Sequence, residues 1–167
     1  IIINKIPGEC VTMFAANKVE DTNTNNLNIS SEYLQTLNPP NFPSSLLKLK
    51  VGSVVMLLRN LKPESGLWNG TRLIIRDIYQ YSLKVSVLGA NDRVEQIQYI
   101  PRIELSTLED DYPFILTRKQ FPVKLSFAMT INKSQGQSLE NVGIDLSSPV
   151  FTHGQLYVAL SRSTNVK

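Results

Sequence analysis

Cysteine, histidine and tryptophan occur once each in this chain, as Cys10, His153 and Trp68. A single cysteine excludes an intramolecular disulfide, and one cysteine with one histidine excludes most zinc sites and every cysteine-rich cluster. A reducing, intracellular setting is the expectation that follows. No Gly-x-Ser-x-Gly elbow occurs, and His153 has no partner in the sequence that would make it a catalytic base, so a hydrolase triad is not expected. No apolar run approaches the roughly 20 residues needed to cross a bilayer, so no membrane partner is expected. Ile1-Ile2-Ile3 is too short, and has no charge in front of it, to be a signal peptide. The abrupt apolar start and the end at Lys167, soon after Arg162, predict a piece of something longer.

What is present is globular material. The chain has 167 residues, of which 42% are apolar and 19% charged, enough for one domain with a sizeable core or one domain carrying a small insert. The net charge of +3 is compatible with a phosphate-bearing partner without demonstrating one.

Along the chain, Pro7-Gly8 closes a first element and residues 11–16 read as a strand. Residues 20–31, rich in Asn, Thr and Asp, read as an exposed loop. Ser31-Glu32 can cap a short helix over 33–37, which Asn38-Pro39-Pro40 must stop. From Leu46 the pattern has period two, with Leu47, Leu49 and Val51 alternating with Lys48, Lys50 and Gly52. It then becomes the solid apolar run Val54-Val55-Met56-Leu57-Leu58, expected of a strand covered on both faces. Lys62 to Gly66 reads as a turn and Asn69-Gly70 as a hairpin signal. Strands are predicted over 73–79, 83–87 and 94–100, with a turn at 89–92. Short strands at this spacing predict a small antiparallel β barrel over residues 46–105. After an acidic connector containing Glu109, Asp110 and Asp111, residues 121–129 alternate as a strand, 142–146 read as a second strand, and Thr152 can cap an apolar helix. Strand, short helix, strand, helix is the rhythm of an α/β domain with a mainly parallel sheet.

Two stretches could carry chemistry. The loop Thr130-Ile131-Asn132-Lys133-Ser134-Gln135-Gly136 follows a buried strand, where parallel α/β sheets place their ligands. Thr130, Lys133 and Ser134 would share one face of a helix and suit a phosphate backbone. An ordinary polar cap ended by Gly136 explains the same residues, and spacing alone favours it. Arg162 ends a helix in which Leu156, Val158, Ala159 and Leu160 would be buried, so its guanidinium would be held rigidly enough to bridge phosphoryl oxygens. An arginine complementing a helix dipole is the plain alternative, again favoured by spacing alone. Trp68 could stack on a base or sit in the barrel core. Lys48, Lys50, Arg59, Arg72 and Arg76 could form a basic stripe or be separately solvated charges.

Longer stretches carry a resemblance that outweighs spacing. Ala128-Met129-Thr130-Ile131-Asn132-Lys133-Ser134-Gln135-Gly136-Gln137-Ser138-Leu139-Glu140 resembles motif V of superfamily-one DNA helicases. Phe151-Thr152-His153-Gly154-Gln155-Leu156-Tyr157-Val158-Ala159-Leu160-Ser161-Arg162 resembles motif VI. The wording is similar to that of petite-integration-frequency (PIF-type) helicases, especially the version found in Helitron transposons. Val51 to Asn60 and Asn69-Gly70-Thr71-Arg72-Leu73 resemble that family's 2B insert.

The resemblance implies an α/β fold, a partial RecA-like 2A domain with an inserted small antiparallel barrel, 2B. Residues 1–45 would be 2A and connector, 46–105 the 2B insert, and 106–167 the part of 2A holding motifs V and VI. It further implies an ATP-dependent motor moving 5′ to 3′ on single-stranded DNA, monomeric and nuclear. ATP and magnesium would be held mainly by another RecA-like domain, 1A. Arg162 would be the arginine finger, Gln135 and Gly136 would lie near the nucleotide, and Thr130, Asn132, Lys133 and Ser134 would face DNA. Many relatives have His where this chain has Asn132. No Gly-x-x-x-x-Gly-Lys-Ser/Thr run occurs, nor an Asp-Glu pair after an apolar strand, so the chain alone is expected not to hydrolyse ATP. The rival readings are a non-catalytic nucleic-acid-binding module left from a transposon helicase, and a plain OB-fold-like protein, which leaves the segment after Phe121 unexplained.

Overall fold

The computed structural model describes residues 2–20, 29–88, 97–107, 112–139 and 141–163. The predicted turn at 89–92, most of the polar loop after Glu20 and the acidic residues 109–111 lie outside them. The chain divides into two compact units, residues 1–127 and 128–167.

The first unit is built from β1 (Val11–Phe14), β2 (Ala16–Glu20), α1 (Ser31–Thr36), β3 (Leu46–Leu49), β4 (Val54–Leu57), β5 (Arg72–Ile78), β6 (Ser82–Val87), β7 (Ile97–Pro101), β8 (Ile103–Ser106), β9 (Ile115–Gln120) and β10 (Val123–Leu125). They form a β1-β3 pair, a five-stranded sheet ordered β10-β4-β5-β6-β7, and a three-stranded sheet ordered β2-β9-β8. Every ladder is antiparallel.

The alternation read from Leu46 holds through Leu49, with Leu47 and Leu49 buried while Leu46 and Lys48 are exposed; Val51, expected on the buried face, is 52% exposed in a turn. The run after it also behaves as expected. Val55 and Leu57 face the main core, Met56 is buried as well, and β4 has a neighbour on each side. Met13, Leu47 and Leu49 of the β1-β3 pair join Val55, Leu57, Leu73, Ile75, Leu83, Val85 and Ile100 of the large sheet in one core. Each fully buried aliphatic side chain contributes about 1.5–3 kcal/mol, and this cluster is the main source of stability in the unit.

Three expectations are corrected. Residues 11–16 are not one strand. Ala15 breaks them by donating its N–H to the Ser45 carbonyl at 2.8 Å, so β1 joins one sheet and β2 another. Asn69-Gly70 does not close a two-residue hairpin. It ends a longer loop in which Pro63–Ser65 form a 3₁₀ turn and Gly70 donates its N–H back to the Leu57 carbonyl at 2.8 Å. Of residues 121–129 only Val123–Leu125 is a strand, and it pairs with β4 at the edge of the five-stranded sheet. One strand, β9, is not predicted at all, because its inward positions are Leu116, Arg118 and Gln120, all fully buried, and give no apolar alternation.

Those two buried polar side chains are fully partnered. Gln120 Nε2 donates to the Met13 carbonyl at 3.0 Å, and its Oε1 accepts from the Phe121 N–H at 3.0 Å. Arg118 donates to Asn17 Oδ1 and to the carbonyls of Pro43, Leu34 and Leu37. Two of those carbonyls belong to the last turn and C-cap of α1, groups a helix end leaves without partners. Burial pushes the Arg118 guanidinium below the ordinary arginine pKa. At its other end α1 is capped by Ser30, one residue earlier than predicted, whose side chain accepts from the Tyr33 N–H at 3.2 Å.

Candidate functional site: a polar loop and the arginine beside it

The second unit holds both stretches singled out above. Ile131–Ser134 forms a single 3₁₀ turn, with Thr130 at its N-cap in extended conformation and no side-chain cap bond. In a 3₁₀ turn residues three apart eclipse one another, so Thr130 and Lys133 stay together while the next residue turns away. The structure follows that rule. Thr130, Asn132 and Lys133 are exposed, whereas Ser134 is buried and donates its hydroxyl to the Ile131 carbonyl at 2.7 Å. The expectation that Ser134 shares the open face with Thr130 and Lys133 is therefore corrected; it braces the turn from inside. Gln135 and Gly136 are exposed, and Gly136 has φ +80°, a left-handed geometry that stops the turn and that a Cβ would strain.

Residues 142–146 are not a strand. Gly143 and Asp145 interrupt the apolar residues, and Asp145 Oδ1 instead accepts from the Ser147 N–H at 2.9 Å. That bond holds the exposed Asp145 carboxyl below its ordinary pKa.

Helix α2 spans Gln155–Leu160, and its N-cap is Gly154 at φ +79° rather than Thr152. Ala159 and Gln155 are its buried residues, while Leu156, Tyr157 and Leu160 are exposed, so the apolar residues do not bury most of this helix as expected. Its anchor is polar instead. Buried Gln155 accepts the Phe151 N–H at 3.1 Å and donates Nε2 to Asn132 Oδ1 at 3.3 Å, linking the helix to the polar turn. Nothing in the hydrophobic pattern pointed to Gln155, because a glutamine at a helix start reads as solvated.

Arg162 is half-buried just beyond α2. Its Nε donates to the Val158 carbonyl at 2.9 Å, Nη1 to the Gln137 carbonyl at 3.0 Å and Nη2 to Ser161 Oγ at 2.8 Å. The Leu139 N–H closes the same junction by donating to the Arg162 carbonyl at 2.9 Å. One N–H on each terminal nitrogen stays uncommitted by these bonds, a fork suited to two oxygens of one anion. The arrangement brings together Asn132, Gln137, Gln155 and Arg162, and leaves Thr130, Lys133, Gln135 and Gly136 open on the turn.

Elsewhere the predicted candidates scatter. Trp68 is 52% exposed and is no core residue. Lys50, Arg59 and Arg72 each donate to a backbone carbonyl, Arg76 donates to Ser86, and Lys48 stands on β3 in a different sheet from β5, which supports separate structural ties rather than one basic stripe. His153 is exposed ahead of α2. Among the described residues no group of three His, Cys, Asp or Glu side chains could hold a metal ion.

Residues 32–78 match the family described as DNA helicase Pif1, 2B domain, and residues 100–167 match a herpes helicase family. The ATP-dependent DNA helicase PIF1 of Danio rerio is 34% identical over 140 residues, covering 80% of this chain and 20% of that protein. The crystal structure of Pif1 helicase from Candida albicans superposes with a TM-score of 0.68 at 26% identity, over 97% of this chain and 39% of that one. The chain belongs to the Pif1 helicase family. A Bacteroides Pif1 helicase in complex with ADP-AlF3 and ssDNA gives a TM-score of 0.61 at 27% identity, over 93% of this chain and 33% of that one. Over this stretch the fold is that of Pif1 helicases, and the 2B region is antiparallel as expected. The chain spans about a fifth of the length of the curated Pif1 relative and 33–39% of the two solved chains.

Proposed function

We propose that this chain is the carboxyl-terminal motor portion of an ATP-dependent helicase that moves 5′ to 3′ on single-stranded DNA. The observation that carries the reading is the seating of Arg162 against the polar turn, through Gln137 on one side and the helix held by Gln155 on the other. In this reading the Arg162 fork meets the γ-phosphate of ATP, and Gln135 and Gly136 lie beside the nucleotide. Thr130, Asn132 and Lys133 meet the DNA backbone, with Ser134 shaping the turn beneath them. The complex of the Bacteroides relative with ADP-AlF3 and ssDNA supports this pairing of ligands.

The residues present fit the phosphate of ATP but not its magnesium, since no carboxylate cluster accompanies Arg162 among the described residues. Bound ATP would supply the phosphoryl group whose developing charge a guanidinium stabilises. This chain's own part is to hold that guanidinium half-buried, where water screens it less than at a free surface, and to tie it to the DNA-facing turn. The wording of residues 128–140 supports a Helitron-type origin.

The test is Arg162→Ala in the helicase that contains this chain. ATP binding is expected to stay close to that of the parent, while turnover falls by about a thousandfold or more, the scale of arginine fingers. Unchanged turnover would remove Arg162 from the reaction.

A further inference from the structure

A groove of about 650 Å³ opens in the first unit where elements of all three sheets meet. Phe14 of β1 and Tyr81 of the β5–β6 turn line it, 62% and 73% exposed. Single exposed aromatic residues are ordinary, but two of them lining one groove offer two ring faces to a ligand. Its remaining walls include Met13, Ala16, Arg102 and Lys119, and no residue that lines it is acidic.

Arg102 builds the groove. Its Nε donates to the Gln80 carbonyl at 3.1 Å and its Nη1 to the Phe14 carbonyl at 2.7 Å, so one guanidinium fixes the backbone beneath both aromatic residues. The same group lies 4.8 Å from the centre of the Phe121 ring, which holds its plane in place. It has no carboxylate partner among the described residues. Lys119 has one, Glu104 at 3.7 Å, but both side chains are about half exposed, a pair weak enough to yield to a phosphate.

We propose that this groove is a second contact for single-stranded DNA, with bases stacking on Phe14 and Tyr81 and backbone phosphates drawn by Lys119 and Arg102. Aromatic faces interleaved with cations are how proteins hold single strands without reading sequence. The choice of DNA rests on the helicase reading above; the groove itself is distinct from the turn at 130–136.

The test uses the 167-residue chain and a fluorescein-labelled oligo-dT of about ten nucleotides, within the span that single-strand binders cover. Phe14→Ala and Tyr81→Ala both replace exposed rings and leave the core intact. Each is expected to raise the dissociation constant at least about fivefold, the lower limit for losing one stacked base. With 5-iododeoxyuridine in the oligomer, photocrosslinks are expected at Phe14 or Tyr81, and these should persist in Lys133→Ala. Crosslinks confined to the turn at 130–136, with unchanged affinity in both aromatic variants, would overturn the groove and leave the helicase reading standing. Absence of binding, or binding of an oligo-rU or a proline-rich peptide in place of the DNA, would overturn it too. Loss of crosslinks at the turn alone, with the groove still occupied, would count against the roles given to Thr130, Asn132 and Lys133 and not against this site.

Discussion

Arg118 and Asn17 stand opposite each other in the β2–β9 ladder, and the arginine Nε donates to the asparagine Oδ1 at 2.7 Å. The pair is the root of a clamp, since the other guanidinium nitrogens reach the carbonyls of Pro43, Leu34 and Leu37. A buried cation is costly to desolvate unless its donors are satisfied, and here carbonyls rather than a carboxylate satisfy them. Arg118→Met keeps most of the volume but leaves those acceptors buried without donors. It is expected to lower unfolding stability by at least about 1–3 kcal/mol, the scale for leaving one buried acceptor without a donor. Arg118→Lys should recover only part of this, because a point-like ammonium cannot replace a planar fork. Urea unfolding of the chain would show it, and a midpoint equal to the parent's for Arg118→Met would mean the clamp does not hold the unit together.

That clamp also explains what the sequence hid. Period two was legible from Leu46 to Leu49 because there each buried position is apolar and a one-residue slip would expose the whole face. In β9 the buried positions are Leu116, Arg118 and Gln120, so the buried face of this strand looks polar on the page. The break at Ala15 was invisible for a different reason, since it is made by a hydrogen bond to Ser45, 30 residues on, and not by glycine or proline. At the candidate site, motif wording located the turn and Arg162. Local spacing misjudged the faces, because it assumed an α-helix at 130–134 and the chain makes a 3₁₀ turn. Gln155 could be found only from coordinates, as its importance lies in reaching Asn132.

Trp68 gives a direct check on the surface. A core tryptophan costs about 3–5 kcal/mol when cut to alanine. Because Trp68 is 52% exposed, Trp68→Ala should cost less than about 1 kcal/mol in the same urea experiment. A loss on the core scale would mean that the ring packs inward.

Lys133 is exposed on the polar turn, so its removal should leave folding unchanged. If it neutralises one phosphate, Lys133→Ala should weaken binding to oligo-dT and reduce the slope of log affinity against log salt by about 0.7, the single-strand value per phosphate contact. Titrations at several salt concentrations measure this. Parallel slopes for variant and parent would take Lys133 off the DNA.

Gln155 joins the turn assigned to DNA with the helix that leads to Arg162, through one bond to Asn132 at 3.3 Å. A hydrogen bond of this kind is worth about 0.5–1.5 kcal/mol, which caps the coupling it can transmit at about tenfold. Gln155→Leu keeps the volume and removes this bond together with the one accepted from the Phe151 N–H, so Gln155 is a positioning residue whose loss is read against stability as well as coupling. In the full helicase, ATP turnover without DNA should stay close to the parent's, and affinity for oligo-dT should change by less than the coupling limit. The stimulation of turnover by saturating DNA should fall several-fold, up to that limit. A protein that was merely destabilised would lose both rates together, so the ratio of stimulated to basal turnover is the deciding number. An unaltered ratio would mean that whatever passes between the turn and Arg162 travels by another route, through Gln137 and the Leu139 junction.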